Sequence, residues 1–141
     1  MLLVKTYLDK SPIHGLGVFA LDDIPKGAKI WRFVEGFDRA YTLKEFARLP
    51  KQAREFLQLY GYRVDGEVLF TVDYDRHINH SDEPNTEMRG GYVIARWDIP
   101  KGTEITNDYR EFDAALCAAF LKEKKSKKKK KAKQKKARRK T

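Results

Sequence analysis

One polar segment, Arg76 to Asn85 (RHINHSDEPN), constrains the fold of this chain more than any other stretch. It holds two asparagines, two histidines, a serine, two carboxylates and a proline, and it directly follows an apolar, strand-like run at Val68 to Tyr74. Polar groups at this density are costly to bury unless each one finds a hydrogen-bond partner. The segment is therefore expected either to be solvated or to form part of a site.

The charge of the chain is divided unevenly between a body and a tail. All 141 residues together have 30 Lys or Arg, 20 Asp or Glu and a formal net charge of +10. From Lys122 onward there are 14 basic residues and one Glu, which leaves 16 basic and 19 acidic residues before it. The basicity therefore belongs to the tail. We predict a domain over residues 1–121 and a disordered tail over residues 122–141, because dense like charge cannot form a core.

Several classes of protein are excluded by composition. No apolar run reaches the ~18 to 20 residues needed to span a bilayer, and the N-terminal residues lack a signal-peptide pattern. We expect a protein without a membrane partner, either cytoplasmic or nucleoid-associated, or nuclear if the tail acts as an import signal. The single cysteine, Cys117, excludes a disulfide framework, and the three histidines lack the spacing of a zinc site. No metal is expected.

An internal repeat indicates a mainly β domain. DIPKGAKI at Asp23 to Ile30 recurs as DIPKGTEI at Asp98 to Ile105, each time after an apolar run. Proline presets one turn position and Gly27 or Gly102 can take the left-handed one, so both copies are predicted to be short hairpin loops.

Helical periodicity is confined to two segments. Thr42 to Gln58 has a capping pair, Thr42 and Glu45, and is predicted to be one broken helix or two short ones, interrupted at Pro50. A second helix is predicted over Phe112 to Glu123. Strands are predicted at residues 2–8, 60–64, 68–74, 92–96 and 104–106.

Three segments carry the functional signal: Gly15 to Gly17 (GLG), Arg76 to Asn85, and Gly102 to Phe112 (GTEITNDYREF). In order, separation and content they resemble the SET domain of protein-lysine methyltransferases. That family has a Gly-x-Gly loop, then Arg-Phe-x-Asn-His-Ser-Cys-x-Pro-Asn, then Gly-Glu-Glu-Leu-Thr-x-Asp-Tyr. Taken singly, the segments have ordinary explanations as a turn, a capping cluster and a half-buried tyrosine.

The resemblance implies a β-clip-like fold of short sheets in which the Asn-His-Ser segment passes beneath the Asp-Tyr segment in a pseudoknot crossing. It also implies S-adenosyl-L-methionine as cofactor and a lysine side chain as methyl acceptor. Tyr109 is implied as the catalytic residue. The implied cofactor contacts are Gly15, Leu16, Gly17, Tyr60, Asn79 and His80, and the implied substrate channel contains Tyr62, Asn107 and Phe112.

The sequence also departs from that family. Asp82 stands where the family has cysteine, and no Cys-rich segment follows Tyr109, so the predicted C-terminal helix or a partner subunit must close the channel. Asn107 stands two residues before Tyr109, where relatives often have the aromatic residue that limits methylation, so the number of methyl groups added stays open. Arg76 and Asp108 are interpreted as a structural ion pair that holds the crossing.

Two functions are therefore carried forward. The first is a protein-lysine N-methyltransferase acting on a protein with an exposed lysine, such as a histone or another basic protein, as a monomer or a homodimer. The second is a non-catalytic SET-like module that binds nucleic acid through its basic tail. The tail itself is also a candidate substrate.

Overall fold

The protein is described by a computed structural model covering residues 1–64 and 66–112. The predicted disordered tail, and the predicted C-terminal helix beyond Phe112, lie outside the described residues. In chain order the elements are β1 (Thr6–Lys10), β2 (Leu16–Ala20), β3 (Lys29–Arg32), β4 (Arg39–Thr42), α1 (Leu43–Arg48), α2 (Lys51–Tyr60), β5 (Tyr62–Val64), β6 (Glu67–Phe70), a 3-10 helix (Tyr74–His77), β7 (Asn79–His80), β8 (Thr86–Arg89), β9 (Tyr92–Ala95), β10 (Glu104–Asn107) and a second 3-10 helix (Tyr109–Glu111).

The strands form three small sheets. Their orders are β1-β2-β10-β7, β3-β9-β8 and β4-β6-β5. All strand pairs are antiparallel except β7 with β10, which are parallel. The predicted mainly β fold of short sheets is thereby confirmed. Within the described ranges, the helices are all too short or too polar to cross a membrane.

The predicted helical insert is confirmed as two short helices. Thr42 caps α1 by accepting the Glu45 amide, and the Glu45 carboxylate accepts the Thr42 amide in return. Pro50 separates α1 from α2, since proline cannot supply the amide that a continuous helix needs there. Tyr60 is the last residue of α2, so the prediction that it begins a strand is wrong.

The two DIPKG copies are not hairpin loops, which corrects the sequence prediction. One connects β2 to β3 and the other connects β9 to β10, so each links strands of different sheets. Instead the copies pair with each other, because Ile24 and Ile99 exchange amide-to-carbonyl hydrogen bonds of 2.8 Å in both directions. Gly27 and Gly102 do take the predicted left-handed conformation. The strand-like hydrogen bonds of each copy, however, are made with the other copy and not within a hairpin.

One apolar cluster packs the sheets together. Its fully buried members come from β2, β3, β9, β10, the two DIPKG segments and the residue before β7, and they include Val18, Ile30, Ile78, Val93, Ile99 and Ile105. A second, smaller cluster of Phe46, Leu57 and Val68 fixes the helical insert on β6. The strand predicted over 68–74 ends at Phe70, because Asp73 caps the 3-10 helix that begins at Tyr74.

Asn85, the last residue of the polar segment, binds β10 through hydrogen bonds. Its Nδ2 donates to the Glu104 carbonyl at 2.8 Å, and its Oδ1 accepts the Thr106 amide at 2.9 Å. The Asn85 amide in turn donates to the Thr106 hydroxyl at 3.2 Å. This asparagine therefore substitutes for a neighbouring strand along two residues of β10.

The Asn85→Ala variant is expected to lose about 2 to 4 kcal/mol of unfolding free energy, because it leaves the Thr106 amide and the Glu104 carbonyl without partners in a buried region. Urea unfolding at neutral pH measures this loss. Glu83→Ala, an exposed position two residues away, is the control. A loss no greater than that of the control would contradict the assigned role.

Candidate functional site

The parallel pairing of β7 with β10 brings the two sequence motifs into contact. Asn79 lies beside Thr106, and His80 lies beside Asn107. The Ser81 amide continues this pairing by donating to the Asn107 carbonyl at 3.0 Å. Because β10 also pairs with β2, the segment Gly15 to Gly17 at the start of β2 lies close to these two motifs.

Asn79 connects β7 to the GLG segment. Its side chain is 7% exposed, and its Nδ2 lies 3.1 Å from the His14 carbonyl, 2.9 Å from the Leu16 carbonyl and 2.8 Å from Glu104 Oε1. An amide nitrogen has only two hydrogens, so the three acceptors share them. Asn79 thus fixes the conformation of the loop that the sequence assigns to the cofactor.

Glu104 is a site residue that the sequence reasoning missed, although it lies inside the quoted GTEITNDY motif. Its carboxylate accepts the Ser11 hydroxyl at 2.8 and 2.9 Å. A Cβ atom added at Gly17 would lie 2.3 Å from Glu104 Oε1. Position 17 therefore has room only for glycine while Ser11 and Asn79 hold this carboxylate in place.

His80 and Tyr109 form one unit. The Tyr109 amide donates to His80 Nδ1 at 3.2 Å, and His80 Nε2 lies 3.1 Å from Asp82 Oδ1. The two rings are 5.4 Å apart between centroids. Accepting at Nδ1 leaves Nε2 as the protonated nitrogen of the neutral ring, which suits a donor to Asp82.

The Tyr109 hydroxyl donates to the Ile78 carbonyl at 2.7 Å. Burial raises the pKa of Tyr109 to about 12, and the negative charge of Glu104 raises it in the same direction. The phenol is therefore protonated at neutral pH, and its proton is directed toward the backbone at Ile78.

The interpretation of Arg76 and Asp108 as an ion pair is wrong. Asp108 pairs with Arg110, whose Nη2 lies 2.7 Å from Asp108 Oδ2. Arg76 instead donates from Nη1 to the Asp73 carbonyl at 2.9 Å. Local hydrogen bonds within each 3-10 turn satisfy both side chains, so no charge pair is needed at the crossing.

The three residues assigned to a substrate channel lie together around one narrow cleft. Tyr62 and Phe112 have ring centroids 5.4 Å apart, and the Asn107 side chain, 3% exposed, accepts the Thr86 hydroxyl at 2.6 Å. The cleft is too narrow in this structure to hold a water molecule. It is lined by Trp31, Tyr62, Asp75, Ile78, Val93, Asn107 and Phe112.

Tyr60 has a different location from Tyr62. Its ring packs against Phe56 at 4.9 Å and edge-on against His77 at 5.7 Å, and it does not line the cleft. The assignment of Tyr60 to the cofactor thus stays a prediction from the resemblance, whereas Tyr62, Asn107 and Phe112 share a common space.

Two polar groups of the cleft were missed from the sequence. Asp75 is 2% exposed and Trp31 is 6% exposed. Neither Asp75 Oδ1 nor Trp31 Nε1 has a hydrogen-bond partner within residues 1–64 and 66–112. The sequence offered only one sign of these groups, namely the two acidic residues Asp73 and Asp75 that precede Arg76.

Burial raises the pKa of the Asp75 carboxyl to about 8. A hydrogen bond with the Asp73 carboxyl and the charge of Asp73 also raise this pKa, whereas a hydrogen bond from the Thr71 hydroxyl and the charge of the Met1 amino group lower it. Asp75 is thus largely protonated at neutral pH in the structure as it stands. The described residues contain no group of three or more His, Cys, Asp or Glu side chains arranged to hold a metal ion.

Comparison with known proteins supplies a family match. A family model of the SET domain matches residues 15–110. The chain is similar to human histone-lysine N-methyltransferase 2D, with 27% identity over 121 residues that cover 77% of this chain and 2% of that protein. It therefore spans only a small part of this curated relative.

Two solved structures are also similar. One is from Plasmodium falciparum and is named as a candidate histone methyltransferase, with a TM-score of 0.55, 29% identity, and coverage of 75% of this chain and 93% of that one. The other, from the Polycomb Repressive Complex 2 of Chaetomium thermophilum, has a TM-score of 0.60 at 22% identity, and the match covers 80% of this chain and 16% of that one. The second similarity supports the fold alone.

The Asp75→Asn variant is expected to remove a pH dependence of stability. The folded pKa lies near 8 and the ordinary value is 3.8, so between these values the folded chain binds the extra proton and loses stability as pH rises. The unfolding free energy of the variant minus that of the wild type should therefore rise by about 1.4 kcal/mol per pH unit from roughly pH 5 to 7. Urea unfolding across this range measures the gain.

Asp22→Asn, an exposed carboxylate, is the matched control for this series. If Asp75→Asn and wild type keep a constant difference in unfolding free energy over the whole range, Asp75 does not carry the raised pKa.

Proposed function

The chain belongs to the SET domain family, and we propose that it is an S-adenosyl-L-methionine-dependent protein-lysine N-methyltransferase. The observation that carries this proposal is the pairing of β7 with β10. This pairing brings Asn79, His80 and Tyr109 together with the GLG segment on one side and with the aromatic cleft on the other.

The residues present fit the cofactor. At Gly15 nothing in the described residues lies within 4 Å of the position that a Cβ atom would take, so the GLG segment can present its backbone to a ligand there. The Glu104 carboxylate beside it suits a molecule with a cationic sulfonium and an ammonium group. We propose that Gly15, Leu16, Gly17, Tyr60, Asn79 and His80 contact S-adenosyl-L-methionine. When bound, it supplies an electrophilic methyl group.

The side chains that line the cleft are chemically suited to a lysine side chain as methyl acceptor. Trp31, Tyr62 and Phe112 give it aromatic walls, which favour a cationic amine and its methylated products. A hydroxyl that donates to the Ile78 carbonyl can accept at its oxygen, so Tyr109 is suited to orient the amine through one N–H bond. Methyl transfer is a displacement whose rate depends mainly on such orientation.

The proposed substrate is a protein with an exposed lysine, with histones and other basic proteins as the first candidates. Relatives named as histone-lysine methyltransferases support this choice. The competing proposal, a non-catalytic module acting through its basic tail, finds its only support in the composition of residues 122–141. Binding of nucleic acid by the tail does not explain the aromatic cleft or its buried acid, so we prefer the enzyme proposal.

Tyr109→Phe is expected to lower methyl transfer about 100-fold, because the amine loses its orienting hydroxyl. The assay incubates purified protein with radiolabelled methyl donor and core histones, with and without residues 122–141. Tyr92→Phe is the matched control. Tyr92 lies on β9, its ring centroid is 4.1 Å from Lys29 Nζ, and it does not line the cleft. The enzyme proposal fails if no protein, this chain included, is labelled and calorimetry detects no cofactor binding.

Asn79→Ala is expected to weaken S-adenosyl-L-methionine binding about tenfold, because the carbonyls of Leu16 in the GLG segment and of His14 beside it lose their common donor. Asn85→Ala is the control: it lies in the same segment and contacts β10 but not the GLG segment. Calorimetry well below both melting temperatures separates the two effects. Equal losses of affinity in both variants would make Asn79 a scaffold residue only.

A further inference from the structure

Resting on the function proposed above, we propose that the Asp75 carboxylate is the proton acceptor for the substrate lysine. In this role it receives the ammonium group within the aromatic cleft and takes one proton from it. Neither the sequence motifs nor the family match assigns any role to this residue.

The geometry of the cleft supports this role. Asp75 lines it together with Tyr62 and Asn107, the residues that the sequence assigns to the substrate channel. Ile78 lines it as well, and the Ile78 carbonyl binds the Tyr109 hydroxyl. The Asp75 carboxyl interacts with the Asp73 carboxyl and the Thr71 hydroxyl, yet its Oδ1 atom has no hydrogen-bond partner in the described part of the chain. Trp31 Nε1, in the same lining, also has none there.

A cationic ligand suits this combination of groups. Three aromatic rings and one carboxyl surround the space, a set that favours an alkylammonium ion through cation–π attraction and a charge-assisted hydrogen bond. The cleft is too narrow in this structure to admit a water molecule, so an entering side chain must displace part of the lining. Phe112, which is only partly buried, lies at its edge.

Other titratable groups near the cleft are poorly suited to take a proton at neutral pH. Burial raises the pKa values of Tyr62 and Tyr109, so both are phenols that already hold their proton. His80 contacts the Tyr109 amide and Asp82 through its two ring nitrogens. Glu104 is bound by Ser11 and Asn79 on the side of the GLG segment.

The charged and titratable groups that face Asp75 set its response to pH. Asp73 lies in the same turn and opposes ionisation of Asp75, while the amino group of Met1 favours it. Tyr62 faces Asp75 from β5, and its own pKa is raised in part by the Asp75 charge. An ammonium ion arriving in the cleft adds a positive charge beside Asp75 and so favours the carboxylate, the form that can accept a proton.

The proposed step is balanced in protons and electrons. As the lysine ammonium enters, the resting Asp75 carboxylic acid releases its proton to solvent and becomes a carboxylate. The ammonium then transfers one proton to Asp75 Oδ1, which leaves a neutral amine and restores the carboxylic acid. The amine lone pair forms the N–C bond to the methyl group as the C–S bond of the sulfonium donor breaks, giving a methylammonium ion and a neutral thioether. One proton is thus released to solvent per turnover, and Asp75 ends in its resting protonated form.

The test is the pH dependence of methyl transfer to core histones by the full chain, comparing wild type with Asp75→Asn. The variant keeps the shape of the side chain but cannot accept the proton. Its rate should be about 100-fold below wild type near pH 7. The deficit should close to within a few-fold near pH 10, where a free lysine amine of pKa ~10.4 loses its proton unaided.

Two further variants and one binding measurement keep the test decisive. Asp75→Ser also lacks the acceptor and should show the same closing deficit, whereas Asp22→Asn removes an exposed carboxylate that does not act on Asp75 and should keep the wild-type profile. Cofactor affinity by calorimetry should be unchanged in Asp75→Asn. A deficit that is constant with pH overturns the Asp75 proposal alone, while a wild type that binds no cofactor and labels no protein overturns the proposed function together with it.

Discussion

The short parallel contact between β7 and β10 is the interaction on which the rest of the structure depends. Two residue pairs, Asn79 with Thr106 and His80 with Asn107, join segments that are more than 20 residues apart. Parallel neighbours cannot be connected by a tight turn, so residues 81–103 must leave and return around this contact. The crossing of the two motifs is a consequence of this topology, and Asn79, His80, Asn107 and Tyr109 lie on or beside it.

So short a contact holds only because side chains extend it. Asn85 supplies hydrogen bonds along β10, and the Thr86 hydroxyl lies within hydrogen-bond distance of the Thr106 carbonyl and Asn107 Oδ1. These groups are buried, where an unpaired polar atom costs more than a satisfied one gains. The polar density of residues 76–85 is thus explained: part of it replaces missing strand neighbours, and part of it faces the GLG segment and Tyr109.

Local chemistry was predictable from the sequence, whereas distant pairing was not. The Thr42 and Glu45 cap, the break at Pro50 and the β class follow from residue types at fixed spacing. The DIPKG segments had the right turn residues, but their partners are each other, at a separation of 75 residues that no local rule detects. The site shows the same division: Tyr109 and Asn79 lie in recognisable motifs, while Asp75, Trp31 and Glu104 acquire their surroundings only from the fold.

The burial of Asp75 is difficult to explain by stability alone. A carboxyl whose pKa is raised to about 8 costs the folded state free energy at neutral pH, by about 1.4 kcal/mol for each unit of the shift that lies below the ambient pH. An apolar side chain of similar size in the same cleft would avoid that cost. The neutral acid limits the penalty while the cleft holds no cation, and an arriving ammonium ion compensates it by stabilising the charged form. The same shift that weakens the fold therefore prepares a proton acceptor, which is why this residue, rather than the more familiar tyrosine, carries the acid–base part of the proposed chemistry.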